Sequence, residues 1–232
     1  MGSVPQRRCV VIGAGVLGAS VAARLAGTGR HVTLLDQDEP GRATSRWSFA
    51  WLNSNDKGPR LYHELNQAGI RAWAELAPAL DGPAWYRPVG NLELAASGTA
   101  ELAARVRRLT GWGYPARLIE AAEASQLEPS LRTQELVARH AMAAWFPGEG
   151  YVLTEPLIAR MVTYATSRGA VALTGEPGRV VGFETSPIRV RTAAGAVLEA
   201  DEVVCCAGRW VPELAALASA ASAVPPASAA SA

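Results

Sequence analysis

The sequence predicts an α/β fold built on a parallel sheet. Three observations carry this prediction. The segment Arg8–Asp36 has the pattern of strand, glycine-rich turn, helix and strand. Two later apolar runs, Ala170–Leu173 and Glu202–Cys206, are typical of buried strands that return to a parallel sheet. Between these runs, three alternating segments predict antiparallel strands at Arg179–Glu184, Ile188–Thr192 and Val197–Ala200.

A glycine-rich turn follows the first predicted strand, Cys9–Ile12. It reads Gly13-Ala14-Gly15-Val16-Leu17-Gly18 and matches the G-x-G-x-x-G fingerprint of Rossmann-like dinucleotide-binding domains. In that fingerprint the first glycine permits the turn and the second lets the backbone approach a pyrophosphate. The third lets helix and strand pack closely. The N-terminus of the following helix offers N–H groups to phosphates.

The second predicted strand, Val32–Leu35, ends in Asp36. A carboxylate at this position can accept hydrogen bonds from a ribose. Together, the two strands, the helix, the glycines and the acid predict a dinucleotide site. A tight turn that binds nothing is the alternative, but it does not explain the position of Asp36.

The middle of the chain predicts shorter elements. A long helix is predicted at Pro59–Leu80. Its apolar face consists of Leu61, Leu65, Ala68, Ala72 and Leu76, and its polar face of Gln67, Arg71 and Glu75. Strands are predicted at Leu92–Leu94, Leu118–Ile119 and Leu136–Phe146, and helices at Glu101–Thr110 and Ala122–Leu127. A further helix begins near Thr154 and ends at Gly169.

Composition excludes several classes of protein. The 232 residues carry a net charge of +1, which argues against a partner bound by neutralising nucleic-acid phosphates. No signal peptide and no run of about 20 apolar residues is seen, so we expect no transmembrane segment and a cytoplasmic location. The three cysteines lie in predicted buried strands without a C-x-x-C pattern, which predicts neither disulfide nor metal site.

Residues 218–232 are almost only Ala, Ser, Pro and Val and predict a disordered tail.

The chain resembles the FAD-dependent amino acid oxidoreductases, the group of D-amino acid oxidase, glycine oxidase and D-amino acid dehydrogenase. Five features occur in the family's order: Val10–Gly18, Leu34–Asp36, Ala43–Ser45 with Ser48–Asn53, Gly150–Val152 before the Pro156 helix, and Ala200–Trp210. The first two are shared with many nucleotide-binding proteins, and the third and fifth narrow the resemblance to this family. Members of the family continue further, so the resemblance implies a chain that is incomplete at the C-terminus.

The resemblance implies a Rossmann-like FAD-binding domain interleaved with a smaller antiparallel (α+β) substrate domain. The FAD-binding domain would take residues 1–84 and 147–217, and a partial substrate domain residues 85–146. Gly13, Gly15 and Gly18 would hold the pyrophosphate and Asp36 the ribose. The full set of implied cofactor-binding residues is Gly13, Ala14, Gly15, Val16, Leu17, Gly18, Asp36, Gln37, Arg42, Thr44, Ser45, Ser48, Val180, Ala207 and Gly208.

Some of these residues have ordinary structural alternatives. Thr44 and Ser45 are as typical of a turn or a helix cap as of a phosphate-binding loop. Arg42 is equally typical of an exposed loop, whereas Val180 is more typical of an ordinary strand residue. The stretch Arg46–Phe49, where some sarcosine oxidase relatives attach the flavin covalently, holds neither histidine nor cysteine. The FAD is therefore expected to be non-covalent.

By resemblance, the reaction is hydride transfer from the α-carbon of an amine or amino acid to the flavin, after which the imine hydrolyses. The substrate would be a small-molecule amine or amino acid, and no catalytic residue is assigned. His31, His63 and His140 are expected to be surface or capping residues rather than catalytic ones. The alternatives are a non-catalytic truncated remnant and an NAD(P)-dependent dehydrogenase. The substrate, the electron acceptor and the oligomeric state stay open.

Overall fold

A computed structural model describes residues 6–95, 99–131 and 142–223. The described chain forms two compact units. Unit 1 is formed by the described residues of Met1–Ser48 and Thr154–Ala232, and unit 2 by those of Phe49–Leu153. The predicted domain limits at 84 and 147 differ from these boundaries, because residues 49–84 contribute a strand and a long helix to unit 2. The assignment of cofactor and substrate binding to separate domains stays a prediction.

The described elements follow the predicted order. The strands are β1 (Arg8–Ile12), β2 (His31–Asp36), β3 (Trp51–Leu52), β4 (Tyr86–Arg87), β5 (Asn91–Leu94), β6 (Arg117–Glu120), β7 (Met142–Phe146), β8 (Gly150–Val152), β9 (Val171–Thr174), β10 (Val180–Thr185), β11 (Ile188–Thr192), β12 (Val197–Glu199) and β13 (Glu202–Cys205). The helices are α1 (Val16–Ala26), α2 (Arg60–Leu76), α3 (Thr99–Gly111), α4 (Ala121–Leu127), α5 (Thr154–Thr166) and α6 (Val211–Ala223).

Unit 1 contains the predicted parallel sheet. Its strand order is β13-β1-β2-β9, and all three pairings are parallel. Alanines of α1 (Ala22 and Ala26) and of α5 (Ala165) are buried against one face of the sheet, where their small side chains permit close packing. On the other face, Val10 and Leu35 pack against the antiparallel sheet β10-β11-β12. Both faces of the parallel sheet are therefore covered, which confirms the predicted α/β class.

Unit 2 contains two small antiparallel sheets, β3-β8-β4 and β5-β7-β6. Leu102, Val106 and Leu109 form the buried face of α3, which was predicted as a helix, and they pack with Phe146 of β7. The strand predicted at 136–146 is confirmed from Met142 onward; its earlier residues, and His140, lie outside the described residues.

A buried polar cluster ties the loops of unit 2 together. Glu149 is 1% exposed, and its Oε1 accepts hydrogen bonds from the Ser54 and Asn55 N–H groups, each at 3.0 Å. The Tyr114 hydroxyl donates to the same oxygen at 2.6 Å. Burial raises the pKa of Glu149. His63 is also fully buried, with Nδ1 2.8 Å from Ser54 Oγ, so the expectation of a surface or capping histidine is wrong at this position.

Helix α2 has an unexpected orientation. Its apolar face is exposed to solvent: Leu61 is 79% exposed and Leu65 is 68% exposed. The side that faces the interior of unit 2 carries buried His63 and half-buried Ile70 and Trp73. His63 contacts the Ser54 loop on this interior side, and the hydrophobic pattern alone did not reveal this orientation.

Two further predictions need correction. Residues 218–223 of the predicted disordered tail belong to α6, because alanine has the highest helix propensity and this segment is rich in it; residues 224–232 lie outside the described residues. Cys205 is exposed rather than buried, because β13 ends there at the rim of the sheet, whereas Cys9 is buried as predicted. None of the described helices is long and apolar enough to span a membrane.

Candidate dinucleotide-binding site

A cavity of about 520 Å³ lies in unit 1 at the carboxyl ends of β1, β2 and β13. Ligands of α/β sheets bind at this edge. Twelve of the fifteen predicted residues line the cavity: Gly13, Gly15, Val16, Leu17, Asp36, Gln37, Thr44, Ser45, Ser48, Val180, Ala207 and Gly208. The remaining three, Ala14, Gly18 and Arg42, are not among its lining residues.

Each glycine of the turn has a different steric environment. Gly13 has φ +102°, and a Cβ there would lie 2.5 Å from the Cys206 carbonyl oxygen. A Cβ on Gly18 would lie 1.7 Å from the Gly13 carbonyl oxygen, so this glycine permits the packing of α1 on the turn. A Cβ on Gly15 would meet only the Ser45 hydroxyl, at 3.2 Å, and Gly15 lines the cavity. Gly13 and Gly18 are therefore needed for the fold, whereas Gly15 leaves space at the cavity.

Asp36 links the end of β2 to the glycine-rich turn. Its Oδ2 accepts a hydrogen bond from the Ala14 N–H at 2.6 Å, and its Oδ1 accepts one from the Asp38 N–H at 2.9 Å. The carboxylate also lines the cavity. Each carboxylate oxygen has a second acceptor site, so Asp36 can hold the turn and still accept a hydroxyl donor from a ligand. Ala14 is buried and contributes its N–H to the turn rather than a surface to the cavity.

The loop after β2 places hydroxyls, but not Arg42, at the cavity. Ser45 Oγ accepts a hydrogen bond from the Val16 N–H, the first of α1, at 3.0 Å. Ser45 therefore does act as a cap, and Thr44 beside it is exposed at the cavity wall. Arg42 forms an ion pair with Glu39 at 2.8 Å. This exposed ion pair agrees with the interpretation of Arg42 as an ordinary residue of an exposed loop.

Five residues that follow β13 in unit 1 complete the cavity wall, and the sequence predicted no role for them. They are Arg209, Trp210, Glu213, Leu214 and Leu217. The Arg209 guanidinium carbon lies 4.3 Å from the centroid of the Trp210 ring. Their positions shortly after Ala207 and Gly208 were the one signal in the sequence, because no helix was predicted for the segment that carries the last three.

The wall is mainly apolar, with few charges. Asp36, Arg209 and Glu213 are its ionisable side chains besides the Cys206 thiol. Burial raises the pKa of Cys206, which keeps this thiol protonated and disfavours nucleophilic attack. Within the described ranges, no group of three His, Cys, Asp or Glu side chains is arranged to hold a metal ion.

These features fit FAD. The volume is in the range of about 300–1,000 Å³ that small-molecule and cofactor sites occupy. The open space beside Gly15 and the N-terminus of α1 suit a pyrophosphate, and the Asp36 carboxylate suits a ribose.

A second, more open cavity of about 350 Å³ lies within unit 2. Phe49, Trp51 and Tyr151 line it, together with Gly90, Asn91 and Gly150. Trp51 and Tyr151 are directly opposite each other on β3 and β8, so their rings share one face of that sheet. This cavity offers aromatic faces to a ligand.

Comparison with known proteins gives three kinds of finding. A family model described as "DAO: FAD dependent oxidoreductase" matches residues 8–229. The tRNA 5-methylaminomethyl-2-thiouridine biosynthesis bifunctional protein of Cupriavidus necator is 32% identical over 173 residues, which are 69% of this chain and 24% of that protein. The structure of iminodiacetate oxidase from Chelativorans sp. BNC1 matches with a TM-score of 0.74 and 28% identity, over 90% of this chain and 57% of that one.

Glycine oxidase from Geobacillus kaustophilus has the same fold, with a TM-score of 0.76 at 22% identity over 91% of this chain. The match covers 58% of the glycine oxidase chain. The present chain thus spans a little over half of these solved structures and about a quarter of the bifunctional relative. The family described by the matching model is FAD-dependent, which confirms the predicted cofactor.

Proposed function

The chain belongs to the FAD-dependent oxidoreductase family, and from this premise we propose that it oxidises the C–N bond of an amino acid or secondary amine. The observation that carries the proposal is the cavity at the carboxyl end of the parallel sheet, with Gly15 on its wall and the Asp36 carboxylate beside it. The substrate class is supported by the solved relatives, which are named as oxidases of glycine and of iminodiacetate.

In this proposal unit 1 holds FAD without a covalent bond. The N-terminus of α1 and the hydroxyls of Thr44 and Ser45 would hold the pyrophosphate, and Asp36 would accept from the adenosine ribose. Ala207 and Gly208 would form the opposite wall. The raised pKa of Cys206, the cysteine at this cavity, supports non-covalent binding because a thiol is a poorer nucleophile than a thiolate.

When bound, the flavin supplies the redox chemistry by accepting a hydride from the carbon attached to the substrate nitrogen. The protein binds and orients the reactants and excludes water. No described side chain is assigned as a proton acceptor in this proposal. The cavity of Phe49, Trp51 and Tyr151 in unit 2 is the candidate surface for the substrate, because aromatic faces attract both alkyl groups and ammonium cations.

A nucleic-acid substrate is the second candidate, because one relative is named for the biosynthesis of a methylaminomethyl group on tRNA. That name contains a secondary amine, so the bond oxidised would be of the same kind. The net charge of +1 favours the small-molecule substrate. The chain spans only part of the length of its relatives. We also propose a cytoplasmic location.

The function is tested by adding candidate amines to the FAD-loaded protein without oxygen. Glycine, N-methylglycine, proline and iminodiacetate form the first panel. We expect at least one of these amines to bleach the flavin absorbance at about 450 nm, the band of an oxidised flavin, whereas acetate and other carboxylates lacking nitrogen should not. Full FAD occupancy without bleaching by any amine would support the non-catalytic alternative. Binding of NADH in place of FAD would support the dehydrogenase.

A further inference from the structure

The wall of the cavity in unit 1 offers a single positive charge to an anion. Among the described residues that line this cavity, the ionised side chains are the carboxylates of Asp36 and Glu213 and the guanidinium of Arg209. The wall therefore carries one more negative than positive charge. The pyrophosphate of FAD is itself an anion, and removing an anion from water is unfavourable without a partner. Arg209 is the lining residue that can supply the opposite charge.

The two arginines of the loop after β2 are already paired with carboxylates. Arg42 Nη2 lies 2.8 Å from Glu39 Oε2, and Arg46 Nε lies 3.1 Å from Glu155 Oε1. Neither arginine is among the lining residues of the cavity. The cations that the sequence places in this loop therefore lie outside the cavity wall, and the charge that a phosphate needs must come from another element.

The guanidinium of Arg209 keeps its charge available. Its central carbon lies 4.3 Å from the centroid of the Trp210 ring. Within the described ranges, no carboxylate forms an ion pair with this guanidinium. A cation–π contact restrains a guanidinium without neutralising it, and the N–H donors at its edge can still reach an anion. The Trp210 ring therefore holds Arg209 in place for a ligand.

The backbone before Arg209 is packed against the glycine-rich turn. The Cys206 N–H donates a hydrogen bond to the Ile12 carbonyl oxygen at 2.7 Å, and a Cβ on Gly13 would lie 2.9 Å from the Ala207 Cα. Arg209 follows two residues later, in the short 3₁₀ turn Gly208–Trp210. Its side chain therefore begins close to the turn that would receive the pyrophosphate.

We propose that Arg209, restrained by the Trp210 ring, is the cationic ligand of the FAD pyrophosphate in the unit 1 cavity. This role rests on the binding of FAD in that cavity, and it adds a residue that the glycine-rich fingerprint does not contain. Arg209 is exposed, so its attraction for the pyrophosphate acts partly through water and is screened by salt.

Calorimetric titration of the full chain with FAD tests the proposal. At low salt, Arg209→Gln is expected to raise the Kd for FAD about tenfold, the loss of one hydrogen bond to a charged group. Arg209→Lys keeps the positive charge and should restore most of the affinity. Because Arg209 is exposed, urea should unfold both variants at the parental concentration.

Arg168→Gln is the matched control. Arg168 is also an exposed arginine of unit 1 held over an aromatic ring, with its guanidinium carbon 3.5 Å from the Tyr164 centroid. It is not a lining residue of the cavity. This variant is expected to bind FAD with the parental Kd at every salt concentration.

Salt and a shorter ligand identify the group that Arg209 contacts. Raising the ionic strength from about 0.05 to 0.5 M shortens the Debye length roughly threefold, so the difference between the parent and Arg209→Gln should narrow. ADP contains a diphosphate but no flavin. Arg209→Gln is therefore expected to weaken ADP binding by about the same factor as FAD binding.

The outcomes separate the role of Arg209 from the cofactor itself. Parental FAD binding by Arg209→Gln overturns the role of Arg209 and leaves FAD binding intact. A loss that is the same at every salt concentration, that Arg209→Lys does not restore, or that spares ADP indicates a packing contact and also overturns the proposal. A parent chain that binds neither FAD nor ADP overturns both the cofactor site and the role of Arg209.

Discussion

Replacing Gly15 by alanine separates cofactor binding from folding. Gly15 has φ −73° and ψ −175°, an extended conformation that alanine adopts without strain. The added Cβ meets only the Ser45 hydroxyl, at 3.2 Å, which must move by a few tenths of an ångström. We therefore expect the free energy of unfolding to change by less than about 1 kcal/mol.

The effect on FAD is expected to be larger, because the new methyl group lies where the pyrophosphate would approach the backbone. Adding a methyl group to a well-packed contact costs about 1–3 kcal/mol. This corresponds to an increase of about 5- to 150-fold in the Kd for FAD. Flavin fluorescence or calorimetric titration measures the Kd, and urea unfolding measures the stability.

Gly111→Ala is the matched control. A Cβ at Gly111 meets nothing within 4 Å, and the residue lies at the end of α3 in unit 2. This variant is expected to bind FAD like the parent. The reasoning is refuted if Gly15→Ala binds FAD with the parental Kd while Ser45 and the fold are unchanged.

Three further predictions concern stability. Gly18→Ala brings a Cβ to 1.7 Å from the Gly13 carbonyl oxygen, so urea unfolding should show a loss of at least about 3 kcal/mol, and a loss below 1 kcal/mol would contradict the packing described. Ser45→Ala removes the acceptor for the Val16 N–H and should lower the free energy of unfolding by about 1 kcal/mol. Ser45→Thr keeps a hydroxyl acceptor and should retain most of that stability. Burial raises the pKa of Glu149. Its native state therefore retains the proton to higher pH, and stability falls as pH rises from about 4.3 through the raised pKa. In Glu149→Gln, the free energy of unfolding measured with urea between pH 4 and 8 should depend less on pH. An unchanged dependence on pH would show that other groups cause it.

The first third of unit 1 was predictable because its signals are local. The strand, turn, helix and second strand up to Asp36 follow from short-range hydrophobic spacing and from glycine geometry. The parallel return of β9 and β13 was predictable as well, since continuous apolar runs are typical of strands covered on both faces. Twelve predicted site residues then meet at one cavity because the carboxyl ends of parallel strands share an edge.

Other features depend on tertiary contacts that a single sequence does not reveal. The apolar stripe of α2 predicts a buried face, but the structure exposes that face to solvent and buries His63 on the opposite side. Arg42 has the charge suited to a phosphate, yet its neighbour Glu39 holds it in an ion pair. The alanine-rich segment of α6 has no charge pattern beyond Glu213, so composition suggested disorder from residue 218 on, where the helix in fact continues to Ala223.

Non-covalent binding of FAD in the cavity of unit 1 can be measured from an absorption spectrum of the purified, FAD-incubated and desalted chain. We expect bands at about 375 and 450 nm, characteristic of a bound flavin. Acid precipitation should release the whole chromophore as FAD into the supernatant. A desalted protein without these bands would contradict FAD binding in this cavity, and a flavin that stays with the precipitate would contradict non-covalent binding.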